Sequence, residues 1–155
     1  MIKSAQVYYS LDGYIHVNIQ QREPVLRVLT GEGYYVDRDG RVMPLSSKFT
    51  SRVVVATGDI NKKFACEKLG PFAMKLKNEP FWDAYIEQLV VRSNEDVVMI
   101  PKVGDFRIVL GKVDDCEARL EKLMLFLKDG ITKKGWNRYK EINLKFDNQV
   151  VCVRK

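Results

Sequence analysis

The sequence predicts an α+β fold, a largely antiparallel sheet with two main helices packed on it. Three observations carry this. Short strand-like runs recur along the chain, separated by turn residues. Two segments, 60–77 and 115–128, instead space their apolar residues for a helix. The resulting order is strands, helix, strands, helix, strands.

Residues 5–10 and 14–20 are the first two strands, joined by the turn Leu11-Asp12-Gly13. Ile15, Val17 and Ile19 share one face of the second run, and His16, Asn18 and Gln20 the other. That period of two predicts a half-buried hairpin. Pro24 ends it, because proline brings no N–H to a ladder. A boundary is expected there, dividing 1–24 from 25–155. Val25–Leu29 reads as a strand, and Asp37-Arg38-Asp39-Gly40 as a hairpin turn between Tyr34-Tyr35-Val36 and Arg41-Val42-Met43. Residues 52–57 form a nearly continuous apolar strand.

In the first helix Phe64, Leu69, Phe72 and Leu76 fall near helical spacing, and Gly70-Pro71 predicts a break or kink. Residues 84–91, 97–100 and 106–110 read as an antiparallel meander. The second helix has Leu120, Leu123, Met124 and Leu127 on one stripe that reaches back to Cys116. Asp114 as N-cap with Glu117 three residues on forms a capping-box pattern, and Gly130 is a C-terminal stop. Residues 140–146 and 149–154 close the chain as a hairpin about Asp147-Asn148, residue types that tolerate left-handed backbone.

Composition narrows the function classes. The 155 residues are 46% hydrophobic and 30% charged, enough for a core and for solubility. The net charge of +6 favours acidic partners, but the basic residues are scattered. The densest run is Lys133-Lys134-Gly135-Trp136-Asn137-Arg138, so binding of nucleic acid is the alternative reading. No stretch approaches the length of a membrane span, and the start lacks a signal pattern. Read alone, this fits the cytoplasm, although a trimmed chain would also enter a strand as abruptly.

Candidate catalytic residues do not assemble. His16, the single histidine, lies on the polar face of the first hairpin, whereas a general base must reach a nucleophile. Cys66, Cys116 and Cys152 form no C-x-x-C pair, and an odd number cannot be a complete set of internal disulfides. Cys116 and Cys152 lie among apolar residues, where cysteine packs as a small hydrophobe. A cysteine-dependent enzyme would need one low-pKa thiol. The acidic pairs Asp37/Asp39 and Asp114/Asp115 have too few ligands for calcium. Gly31-Glu32-Gly33 precedes no helix and makes no phosphate cradle. Phe81, Trp82 and Tyr85 read as a core anchor or an aromatic platform. No catalytic residue, metal or cofactor is expected.

Within the last strand residues 149–153 carry neither charge nor proline, and Arg154 and Lys155 come only afterwards. Such a run is either an internal strand buried on both faces or an unguarded edge that pairs with a partner strand.

Several motifs, taken in order, resemble one family. Ile19-Gln20-Gln21-Arg22-Glu23-Pro24-Val25 is similar to the step out of the POTRA domain in FtsQ/DivIB proteins. Tyr35-Val36-Asp37-Arg38-Asp39-Gly40 is similar to the hairpin opening their β domain. Leu110-Gly111 followed by Arg119-Leu120, and Ile142-Asn143-Leu144-Lys145-Phe146 followed by Asp147-Asn148, match later positions. The resemblance implies that 1–24 are the last two strands of a partial POTRA domain and that 25–155 are the β domain. It also implies a non-enzymatic division scaffold on the extracytoplasmic side of the inner membrane, with FtsB and FtsL as partners. By position it assigns partner contacts to Lys145, Phe146, Asn148, Gln149, Val150, Val151, Cys152 and Val153, and to Arg92. Asn143 and Lys145 depart from the family's Asp and Arg, and lysine lacks arginine's planar two-pronged donor. Asn148-Gln149 replaces a glycine-containing turn.

Overall fold

The computed structural model describes residues 1–131 and 135–155. It is α+β, as predicted. One nine-stranded sheet runs in the order β11-β10-β9-β8-β7-β6-β3-β4-β5, and β1-β2 is a separate hairpin. The strands are β1 (Ile2–Tyr9), β2 (Ile15–Gln21), β3 (Pro24–Val28), β4 (Tyr34–Asp37), β5 (Val42–Pro44) and β6 (Val54–Gly58). They continue with β7 (Ile86–Arg92), β8 (Asp96–Pro101), β9 (Arg107–Gly111), β10 (Tyr139–Asn143) and β11 (Val151–Arg154). The predicted meander is present as β7-β8-β9, antiparallel throughout. Three pairings are parallel: β3 with β6, β6 with β7, and β9 with β10. β6 lies between two parallel neighbours, with Ala56 fully buried and Val54, Val55 and Thr57 half-buried.

The core lies between the helices and one face of the sheet. Val28, Ala56, Leu89, Met99, Ile108 and Ile142 cross that face in register and are fully buried. Each buried leucine or isoleucine contributes roughly 1.5–3 kcal/mol.

The first helical segment does not break at Gly70-Pro71. It runs α1 (Lys62–Phe64), a π-helical turn (Ala65–Leu69) and α2 (Gly70–Asn78) without interruption. The Gly70 N–H donates to Ala65 O, five residues back. Widening the turn there absorbs the missing N–H of Pro71. Asn61 caps the start, its side chain accepting from the Phe64 N–H at 2.8 Å. Gly70 also allows close packing, since a Cβ there would lie 3.0 Å from Val36 Cγ1 and 3.1 Å from Ala65 O. A short helix, α3 (Pro80–Tyr85), which the sequence reading missed, holds Phe81, Trp82 and Tyr85 in one ring cluster.

The second main helix, α4 (Glu117–Leu125), buries Leu120 and Leu123. The predicted capping box does not form. Cys116 is the N-cap residue and makes no side-chain cap bond, while the Asp114 carboxylate pairs with Lys68 at 2.6 Å. Arg119 does the work of holding this entry, donating to Leu110 O at 2.7 Å and Asp114 O at 2.6 Å.

The hairpin β1-β2 is also not half-buried. Tyr9, Val7 and Ala5 face Ile15, Val17 and Ile19 across it, and all six are exposed. A buried ion pair fixes its attachment. Arg22 reaches Asp37 at 2.6 Å, and Asp37 is 2% exposed. The other oxygen of Asp37 accepts the N–H groups of Asp39 (3.0 Å) and Arg41 (2.8 Å). Lys3 adds a pair with Asp39 at 2.7 Å.

The terminal hairpin is wider than the predicted two-residue turn. β10 ends at Asn143, and β11 begins at Val151. Beyond Asn143 the chain is held on α4: Lys122 Nζ donates to Leu144 O at 3.1 Å and Phe146 O at 2.6 Å. Lys145 Nζ is tied in turn to Asp96 at 3.0 Å.

Two substitutions test these clamps. Asp37→Ala strands the Arg22 charge and two N–H groups, so urea unfolding should show a loss of about 3 kcal/mol. Amide exchange in β1 and β2 should accelerate more than in β7-β9. Lys122→Met should cost about 1–3 kcal/mol. Exchange should then quicken at residues 144–150, with helix content unchanged.

Candidate docking edge

β11 has one neighbour, β10, and closes the sheet on that side. The internal-strand reading is therefore excluded. Val151 and Val153 are exposed, and Cys152 is half-buried against the core cluster. Register carries an unbroken row across the sheet face away from the helices: Thr57, Val90, Val98, Val109, Asn143 and Val151. Val151 is the open end of that row. The core-facing row Ile108, Ile142, Cys152 ends at the same edge.

The backbone direction at each position follows from one hydrogen bond. The Lys155 N–H donates to Arg138 O at 3.2 Å. Backbone groups alternate along a strand, so Val153 and Val151 also face β10. Cys152 and Arg154 then turn their N–H and C=O groups outward. The bulge in this pair falls between Tyr139 and Glu141, on β10, and leaves β11 regular.

The opposite edge differs. β5 is three residues long and ends in Pro44, two features that blunt an edge. β11 is four residues long and holds no proline, and its one charged residue, Arg154, comes last. Two of the charges near it are paired, Arg107 with Glu141 at 3.0 Å and Lys155 with Asp105 at 2.9 Å, while Arg154 at the end of β11 and Lys140 on β10 lie exposed.

The residues predicted as partner contacts divide into three groups. Val151, Cys152 and Val153 form the edge itself. Lys145, Phe146, Asn148 and Gln149 lie exposed in the loop before it, with Asn148 in left-handed backbone (φ 56°) and Val150 half-buried behind. Arg92 ends β7, four strands from β11. It is nonetheless linked to the loop, because its register partner Asp96 holds Lys145. Lys122 and Asp96, which set the position of this loop, were not found from sequence. Lysine on a polar helix face and aspartate in a turn give no local signal of a distant carbonyl or ammonium.

Among the described residues the catalytic candidates are not brought together. His16 stacks on Tyr8 (5.0 Å between centroids), and its Nε2 lies 3.1 Å from Ser10 Oγ. Ser10 in turn donates to Asp12, so the carboxylate engages the serine rather than orienting the histidine. All three cysteines are free, and burial is the main force pushing each thiol pKa up. A nucleophilic thiol requires the reverse. In the basic run at 133–138, Lys133 and Lys134 lie outside the described residues. Among the described residues no group of side chains is set to hold a metal, and no helix is long and apolar enough to cross a membrane.

No curated protein matches the chain. Residues 23–153, which include the whole nine-stranded sheet except part of its last strand, match the family described as FtsQ/DivIB, C-terminal related. That family consists of non-enzymatic division proteins that take part in division complexes, with this region as the extracytoplasmic domain of a membrane-anchored protein. Motif order, sheet and family match agree, and the chain belongs to the FtsQ/DivIB C-terminal related family.

Proposed function

We propose that this domain is a division scaffold that binds FtsB- and FtsL-type partners by adding a partner strand to β11. The observation that carries the proposal is the unguarded edge, with two outward backbone positions at Cys152 and Arg154 and no charge or proline within 149–153. An added strand completes main-chain hydrogen bonds and continues both side-chain rows. Its residues beside Val151 and Val153 extend the outer row, and those beside Cys152 extend the core row. Alternating apolar residues on the partner fit both.

Lys145, Phe146, Asn148, Gln149 and Val150 supply side-chain contacts in this reading, with Arg92 at the same end of the sheet. Lys145 is partly committed to Asp96, so it contributes less than a free cation. Residues 1–24 serve as the last two strands of a POTRA domain. The domain works outside the inner membrane, anchored by a span that is not among these residues.

Main-chain pairing is separable from side-chain contact by chemistry at one atom. Cys152 allows residues 152–155 to be ligated as a synthetic peptide onto residues 1–151. N-methylation of Arg154 then removes an outward donor and blocks close approach, leaving every side chain in place. Affinity for the FtsB–FtsL-type coiled coil of the same organism should fall at least about tenfold, one hydrogen bond's worth. The unmethylated ligated chain is the control, and unchanged amide exchange in β10 reports an intact sheet. Equal affinity of the two chains would rule out strand addition here.

A further inference from the structure

A groove lies toward the other edge of the sheet, far from β11. It consists of two adjoining cavities of about 950 Å³ and 620 Å³ that share Arg52, Val53 and Lys77 as a common wall. The larger is bounded by Met43, Pro44 and Leu45, by Phe49, and by Pro24 and Met1. Phe49 is 66% exposed on a loop, residues 45–53, that has no regular secondary structure. The smaller runs under α2 and α3 to Trp82 and Ile86.

Charge in the groove is unevenly balanced. The larger cavity is lined by Arg22, Lys77 and Arg52 against one acid, Glu23. Arg22 is committed to Asp37, and Lys77 to Glu23 at 2.8 Å. Arg52, on the shared wall, has no ion pair or hydrogen bond among the described residues. Its guanidinium is a planar donor suited to a carboxylate. At the far end the smaller cavity carries Asp83 and Glu87, which repel a continuous polyanion, with Lys102 beside them donating to Asp83 O at 3.2 Å. A nucleic-acid backbone needs several free cations in a row, and this groove offers one beside an apolar wall.

We infer that this groove binds an extended segment of a partner protein that carries an acidic side chain next to a bulky apolar one. The carboxylate pairs with Arg52, and the apolar residue enters the larger cavity against Phe49. Two cavities meeting at one arginine suit a chain that passes over the shared wall. The site uses none of the β11 edge, so it stands or falls separately from strand addition.

The test is a titration of the isotope-labelled chain with acetyl-Leu-Phe-Asp-Leu-amide and with the same peptide carrying Asn for Asp, followed by amide and arginine side-chain NMR. Saturable shifts should centre on residues 49–53 and Lys77. The acidic peptide should bind about tenfold tighter than its amide counterpart, as expected for one charge-assisted pair. That preference should vanish in Arg52→Gln, and both peptides should weaken in Phe49→Ser. Both substituted side chains are exposed, and the remaining spectrum reports the fold. Equal binding of the two peptides, shifts centred on β11 or on the β1-β2 hairpin, or no saturation would each overturn the inference.

Discussion

The strand order depends on connections too long to be hairpins. Residues 59–85 join β6 to β7, and residues 112–138 join β9 to β10. Parallel neighbours need a crossover of roughly a dozen residues or more, and both connections supply one in helical form. Because α4 returns the chain beside β9, β10 enters parallel to it, and the short return into β11 has only the outside position left. The exposure of β11 is thus a consequence of topology, with the apolar sequence of 149–153 as a second and separate condition. An exposed strand interrupted by proline, or an apolar strand inside the sheet, would not present the same edge.

Local clamps then convert that topology into a fixed geometry. Arg22–Asp37 joins the first hairpin to the β4-β5 turn, and Lys122 joins α4 to the loop before β11. The two differ in kind. Asp37 is buried and accepts four donor contacts, so its loss leaves charge and polar groups without partners where water cannot reach. Lys122 instead links carbonyls at the surface. It holds the loop before β11 on the helix, and a loop already held costs less to order under the proposed strand addition. The exposed pairs Lys68–Asp114 and Lys75–Glu117 tie the helices together with far less effect, being open to solvent and salt.

Periodicity made most of this fold legible. The 3.6-residue stripe of α4 and the meander 84–110 can be read because burial imposes the same pattern on any such element. The break misplaced in the first helix has a physical cause. Pro71 signals a missing hydrogen bond, but a break and a π turn both satisfy it, and only tertiary packing of Gly70 on Val36 decides between them. Asp114 shows the same limit at a helix start: Lys68, 46 residues away in sequence, captured a carboxylate that local rules assign to the cap. At the docking edge the strand was visible and its supports were not. Val151–Val153 announce themselves by composition, whereas Lys122 and Asp96 matter through contacts made across the fold. The hairpin face of Ile15, Val17 and Ile19 was read correctly as one face, yet alternation does not report whether anything covers it.

The two ends of the sheet show why an unguarded edge argues for binding. A free strand of uncharged, β-branched residues exposes a protein to unwanted pairing. At β5 that hazard is met by shortness and by Pro44. At β11 the same chain has a regular strand, valines on one side, and a bulge placed on the inner neighbour instead of on the edge. A bulge on β11 would have twisted the edge away and turned one outward N–H aside. Its placement on β10 keeps the outer ladder intact, the arrangement that strand addition requires and that protection against aggregation would avoid.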